Sequence, residues 1–278
     1  MSEHDAPILI DRAPDRAVET ILFNRPAKRN AASYRALRIL LDELQRLAND
    51  DGVRILVLRG VDGFFCAGMD LREATVGESI DVEELRATAI DAFNALPAGT
   101  LLPRGQVMPR LVQESLLRVK RLPQLTIGAA EGAAYGGGAG CLAACDYVLA
   151  SENFHAAFTE VKRGLRPALL FPFLSKKFPI ALLQEAVFTA RPFGAERAKA
   201  MGLAQRIVPQ DKFEQALEET IELFLANSKI AQQEAKALFA QQTTPTVEEI
   251  DAAWEEHWRS WNSASGKEGV LAFLEKRD

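Results

Sequence analysis

The chain has 278 residues, of which 48% are hydrophobic and 26% charged, enough for one large α/β domain or a domain with an appendage. Its formal net charge of −5 argues against a general nucleic-acid or anionic-membrane surface, so an anionic ligand must be met by local Lys and Arg. The N-terminus MSEHDAPILID has neither a basic nor an apolar signal region, and no apolar run suits a membrane span. With Cys66, Cys141 and Cys145 in small-residue surroundings, the expectation is reduced core thiols in a cytoplasmic protein, with no metal site.

In chain order, Ile8–Asp11 and Ala17–Phe23, separated by RAPDR, predict a β-hairpin. The loop NRPAKRN follows, and Ser33 can cap a helix whose Leu37, Leu40, Leu41, Leu44 and Leu47 recur with helical period. Val53–Leu58 is almost continuously apolar, as a strand buried on both faces is. Phe64–Leu71 (FFCAGMDL) predicts a second strand-to-turn stretch. Residues 74–110, with three prolines and mixed polarity, read as a helix and a long variable loop. Leu111–Arg121 predicts an amphipathic helix, Leu125–Ala130 a strand, and Asp146–Ala150 another strand. Beyond residue 150 only helices are expected, including Phe213–Asn227 and Val247–Trp261. The division is a core over residues 1–209 and a helical region over 210–278.

The chemistry concentrates in EGAAYGGGAGCLAACD. Gly136, Gly137 and Gly138 leave a strand and enter a small-residue helix, where bare backbone N–H groups can approach a ligand. The helix N-terminus adds a positive partial charge. Such a pocket suits a developing oxyanion. An isolated carboxylate, Glu160, follows in FTEVKRGL, and its bland reading is a surface charge. Asp146 reads as structural, Glu131 as a loop residue, His155 as an improbable base, and Tyr135 as packing or as a contact to the ligand.

Together NRPAKRNA, FCAGMDL, the stretch from Gly132 to Asp146, FTEVKRGL, Phe193–Pro209 and Gly269–Arg277 resemble the crotonase (enoyl-CoA hydratase/isomerase) superfamily, in order, from residue 8 to the end with 74–110 uncovered. The resemblance implies an α/β spiral of ββα turns with a C-terminal helical oligomerisation region, as a homotrimer or homohexamer. It implies an acyl thioester of coenzyme A, or of a carrier protein, as substrate. No separate cofactor, nucleic acid or membrane is implied, coenzyme A being part of the substrate. By the same resemblance the amides of Met69 and Gly137 form the oxyanion hole and Glu160 transfers a proton. Ala67, Gly68, Asp70, Gly136, Gly138 and Gly140 surround the thioester. Lys28, Arg29, Phe273 and Lys276 meet the coenzyme A, the last two often in a neighbouring subunit.

One position departs from the hydratase pattern: Gly140 stands where those enzymes carry the first of two glutamates, a departure similar to that of the methylglutaconyl-CoA-type hydratase branch. The expectation there is a larger cavity, or one that admits substrate atoms or a carboxylate of the substrate. After Glu160 the chain reads RPALLFPF, in which Leu169, Leu170 and Phe171 either wall the acyl chain or begin a buried helix. The leading expectation is a hydratase or dehydratase, ahead of an isomerase, a lyase or decarboxylase working through an enolate, and a silent acyl-thioester binder. Trp254, Trp258 and Trp261 in the terminal helices suit an interface core.

Overall fold

The computed structural model describes residues 6–86, 93–94 and 96–277. Strands β1 (Ile8–Ala13) and β2 (Val18–Phe23) form the expected hairpin, Ile8 pairing with Phe23. Helix α1 (Tyr34–Leu47) starts where Ser33 Oγ accepts the Ala36 N–H at 3.0 Å, and it buries its leucine stripe. β3 (Ile55–Gly60) follows.

The Phe64–Leu71 stretch does not form a strand. Gly68 has φ +89°, which ends extended backbone, and only single bridges link Cys66 to Ala134 and Met69 to Ala32. Residues 74–110 carry more structure than the sequence predicts, with α2 (Leu71–Thr75), β4 (Ser79–Asp81), α3 (Val82–Arg86) and β5 (Leu101–Pro103). The central part of the predicted loop lies outside the described residues. Helix α4 runs Arg104–Arg121, seven residues longer at its N-terminus than its pattern implies, with Pro109 inside it. Pro109 argues locally against helix, but burial of Val107, Met108, Leu111 and Val112 overrides it.

β6 (Leu125–Ala130) and β7 (Ala133–Tyr135) lead into α5 (Gly137–Ala144), then come β8 (Tyr147–Ser151) and β9 (His155–Ala157). α6 (Phe171–Lys177), α7 (Ile180–Thr189), β10 (Phe193–Gly194), α8 (Ala195–Ala200) and β11 (Arg206–Val208) follow. The expectation of helices alone beyond residue 150 is therefore wrong: β9, β10 and β11 are too short to show alternation in sequence. The chain closes with α9 (Phe213–Leu225), α10 (Lys229–Thr243), α11 (Val247–Asn262) and α12 (Ala264–Glu275).

The six-stranded sheet has the order β1-β2-β3-β6-β8-β11, parallel from β2 onward, and a smaller sheet has the order β10-β9-β7. Each of β6/β7, β8/β9 and β10/β11 gives one strand to each sheet. That repeated step is the expected α/β spiral. Asp146 fastens its base: it accepts from Thr126 N–H at 2.8 Å and Thr126 Oγ1 at 2.9 Å, and pairs with Lys236 of α10 at 2.6 Å.

The C-terminal helices fold back onto this core. Gln113 of α4 donates to the Ile250 carbonyl at 3.3 Å, and Trp254 Nε1 donates to the Gln106 carbonyl at 3.4 Å. Trp254 and Trp261 are thus engaged with their own chain, which weakens them as evidence for an interface. Exposed aromatic and aliphatic side chains on other helices include Phe188, Leu238 and Phe239.

Candidate active site

A cavity of about 470 Å³ lies between the NRPAKRN loop, the Gly68 turn, the N-terminus of α5, the turn after Thr159, and helices α11 and α12. Its entrance carries exposed cations, Lys28, Arg29, Arg72 and Lys276. Its inner wall is apolar and buried, formed by Val112, Leu165 and Leu170 with the half-buried Leu169.

The entrance loop is ordered by the buried Asn30, whose φ of 55° is left-handed. Its side chain donates to the carbonyls of Val61 at 2.9 Å and Phe64 at 2.6 Å, and accepts the Arg25 N–H at 2.9 Å. Arg25 in turn holds Asp70 at 3.0 Å. Asp70 caps α2 by accepting the Arg72 N–H at 3.1 Å. Asp70 therefore edges the cavity as a structural carboxylate.

Two glycines bring two backbone amides together. Gly136 (φ 48°, ψ −117°) sits in a region closed to other residues, and turns the chain from β7 into α5. At Gly68 an added Cβ would stand 2.9 Å from the Tyr135 carbonyl oxygen and 3.1 Å from the Gly137 nitrogen. One added at Gly137 would stand 3.8 Å from the Met69 nitrogen. The neighbouring amides are engaged: Gly136 N–H donates to Ala157 at 3.0 Å and Asp70 N–H to Ala32 at 2.9 Å. Among the described residues, the Met69 and Gly137 amides have no such acceptor, and both residues line the cavity. Gly137 also opens α5, whose dipole adds positive potential.

Glu160 begins the short 3₁₀ turn Glu160–Arg163, and its Oε1 lies 3.2 Å from where a Gly136 Cβ would be. The cavity reaches the residue, yet Oε2 is sealed from solvent and has no hydrogen-bond partner. Burial raises its pKa above the ordinary carboxylate value; its own backbone amide and Arg163 pull the other way and do not prevail. Arg163 is occupied elsewhere: it donates to Thr159 Oγ1 and the Thr159 carbonyl, and its guanidinium lies 4.1 Å from the centre of the Phe273 ring. That stacking fastens α12 over the site, so Phe273 and Lys276 reach the cavity of their own chain.

Of the residues singled out in the sequence, Lys28, Arg29, Ala67, Gly68, Met69, Asp70, Gly136, Gly137, Glu160, Phe273 and Lys276 all line this cavity. Gly138 and Gly140 do not. A Cβ on Gly138 would meet the Cys66 carbonyl oxygen at 2.2 Å, so this glycine serves close packing of α5. At Gly140 the expected extra space is absent: a Cβ would meet Leu170 Cδ2 at 2.8 Å and Leu116 Cδ1 at 3.3 Å. Leu170 plugs the place of the missing carboxylate and also walls the cavity. Leu169 joins it, whereas Phe171 is half exposed and begins α6, so both readings of that stretch hold in part.

Tyr135 lines the cavity with its ring packed edge-on against Phe64 at 5.8 Å and His155 at 5.7 Å. Glu131 lies away from it, paired with Arg59 at 2.7 Å. The three cysteines are buried and free, and burial lifts the thiols of Cys66 to about 11 and Cys145 to about 12. Sequence reasoning missed His257 and Trp261, which stand four residues apart on one face of α11 and line the cavity. Only their shared helical face could have pointed to them.

The sequence profile of the enoyl-CoA hydratase/isomerase family matches residues 14–102 and 103–278. The chain is 31% identical over 282 residues to enoyl-CoA hydratase EchA19 of Mycobacterium tuberculosis, covering 96% of each protein. It is 28% identical to the mitochondrial methylglutaconyl-CoA hydratase of Rattus norvegicus, covering 95% of this chain and 78% of that protein. The crystal structure of carnitinyl-CoA hydratase from Mycobacterium avium superimposes with a TM-score of 0.78 at 26% identity, covering 98% of this chain and 97% of that one. The chain therefore belongs to the enoyl-CoA hydratase/isomerase family, and is an enzyme of the crotonase fold.

Proposed function

We propose that the protein hydrates an α,β-unsaturated acyl thioester of coenzyme A, or dehydrates the corresponding hydroxyacyl thioester, with Glu160 as its one proton-transfer carboxylate. The observation that carries this is the half-buried Glu160, its Oε2 without a hydrogen-bond partner, beside two unengaged amides in one cavity. The anionic nucleotide of coenzyme A meets Lys28, Arg29, Arg72 and Lys276 at the entrance, and the acyl chain enters the apolar interior. The thioester oxygen accepts from Met69 and Gly137 N–H, which stabilise the enolate formed as the β-carbon is attacked. Protonated Glu160 delivers its proton to the α-carbon, water bonds to the β-carbon, and the proton that water releases returns to Glu160. Relatives named as enoyl-CoA hydratases support this direction of chemistry.

A second reading, double-bond migration, is favoured by Leu170 standing where a second carboxylate would orient water. Lyase or decarboxylase chemistry through the same enolate, a carrier-protein arm in place of coenzyme A, and silent binding are the further alternatives. Crotonyl-CoA and 3-methylglutaconyl-CoA, followed by enone absorbance in ¹⁸O-labelled water, separate them. Loss of absorbance with label in the product supports hydration. A shifted absorbance without label means isomerisation, and binding without change means a scaffold.

The assembly we propose is a homotrimer or a dimer of trimers in the cytoplasm, the core over residues 1–209 carrying the site and the helices of 210–278 covering it. Phe188 (75% exposed) and Phe239 (71%) support association, being large apolar groups left to solvent in one chain. A stable monomer at micromolar concentration in sedimentation contradicts it.

A further inference from the structure

Exposure orients the cavity. Charged, exposed residues mark the entrance, and apart from Gly68 and Asp70 at the Gly68 turn the buried lining residues are Val112, Leu165, Leu170 and, on α11, His257. His257 is only 5% exposed, and its Nε2 is sealed from solvent with no hydrogen-bond partner. Its ring lies 5.8 Å from that of Trp261, tilted by 43°. A buried imidazole has to carry at least one N–H or one lone pair that wants a partner. Leaving it unpaired is costly, and a residue whose only role is to fill apolar space next to a tryptophan would more simply be aliphatic or aromatic.

We propose that His257 reads the inner part of the acyl chain, favouring chains that carry an uncharged hydrogen-bonding oxygen, such as a hydroxyl, over fully apolar ones. The inference rests on the cavity being the acyl-thioester pocket. The uncharged class follows from the groups around it. A buried carboxylate on the ligand would share the cavity with Glu160 and be repelled by it. Neither the exposed Arg166 nor the half-buried Arg163 is free to answer such a charge. Arg166 is paired with Glu256, and Arg163 is held by Thr159 and the Phe273 ring. Leu169, Leu170 and the Trp261 ring leave the wall near it largely apolar, and the unpartnered, sealed ring nitrogen of His257 offers a ligand oxygen a matched polar group. A hydroxyl suits an imidazole in either tautomer, since it can donate or accept.

The test uses the full-length protein and saturated acyl-CoA thioesters, which bind without net turnover. Pairs from butyryl-CoA to octanoyl-CoA, each with and without a terminal hydroxyl, are titrated calorimetrically into wild type, His257→Phe and His257→Gln. At the chain length that reaches His257, wild type should bind the hydroxylated member about tenfold more tightly than its apolar partner. That ratio should fall to about one in His257→Phe and be partly kept in His257→Gln. If the phenylalanine variant does not fold, the wild-type ratio and the glutamine variant decide. Binding of apolar chains with no hydroxyl preference at any length overturns this inference alone, as does a preference that survives in His257→Phe. Tighter binding of carboxylate-terminated chains overturns the uncharged class. If no acyl-CoA binds at all, the acyl-thioester reading falls and this inference with it.

Discussion

Two glutamates, the buried Glu19 on β2 and the half-buried Glu160 at the cavity, sit in opposite surroundings. Burial raises the pKa of both. Glu19 sits against guanidinium groups: Arg12 donates to it at 3.3 Å and Arg46 also pairs with it, while both arginines hold Glu43. Glu160 has no ion pair among the described residues, and the one arginine nearby is turned to Thr159 and Phe273. A raised pKa alone does not separate a structural carboxylate from the one proposed to react. What separates them is whether a cation already holds the charge, and whether a cavity opens onto the oxygen.

The largest effect we expect is on turnover. Glu160→Gln keeps shape but cannot carry a proton, so steady-state kinetics should show kcat reduced by roughly 10²–10⁴-fold with thioester affinity nearly kept. Glu19→Gln should do the reverse. Chemical denaturation should show about 1–3 kcal/mol of lost stability as Arg12 and Arg46 lose their charged partner, with kcat within a few-fold of wild type. A variant at Glu19 that loses turnover while still folded removes the contrast.

His257 gives the next effect, and it depends on pH. Its folded pKa is lowered to about 4 by burial, against an ordinary 6.5, so the unfolded chain binds the proton more readily. Its contribution is present above pH 6.5 and is lost as pH falls toward about 4, at a cost of up to roughly 3 kcal/mol. His257→Gln should flatten that part of the acid-unfolding curve, and an unaltered curve contradicts the assignment.

Gly140→Glu sharpens the comparison by adding a second carboxylate. Its Cβ meets Leu170 at 2.8 Å, so overpacking should cost about 1–3 kcal/mol in thermal or chemical unfolding without raising hydration. Combined with Leu170→Ala, which opens the space, the same change should raise activity on short linear enoyl-CoA and weaken binding of acidic acyl groups near Glu160. Higher hydration from Gly140→Glu alone shows that Leu170 is not the plug.

The smallest effect is again at Glu160. Its folded pKa is raised, so the folded state holds the proton better and its stability is fully present below the unfolded pKa. That contribution is lost as pH rises through the raised value. Glu160→Gln should therefore gain in melting temperature over wild type at pH 8 and gain nothing at pH 4. Equal differences at both values contradict a raised pKa.

Much of this was legible in the sequence because it is written in local pattern. The leucine stripe of α1, the apolar β3 and the strand Leu125–Ala130 follow from periodicity, and the glycine run locates the close approach of backbone at Gly136. The strands β9, β10 and β11 escaped because two or three residues carry no period. The early start of α4 escaped because tertiary burial overrides Pro109. Within the site, Glu160 could be picked out by its flanking text, but the occupation of the space at Gly140 could not. Leu170 lies thirty positions further along the chain, and only the packing of α5 against the start of α6 brings the two together. His257 was equally hidden, as a single histidine on a charged helix shows nothing of what its other face touches.

The central claim, that Glu160 moves the proton at the α-carbon beneath the Met69 and Gly137 amides, is tested most directly without any hydration step. Exchange of the α-protons of saturated hexanoyl-CoA for deuterium in D₂O, followed by proton NMR, isolates enolate formation from the handling of water. Wild type should catalyse the exchange, and Glu160→Gln should bind the thioester yet exchange it no faster than buffer. Exchange at the wild-type rate in Glu160→Gln contradicts the account.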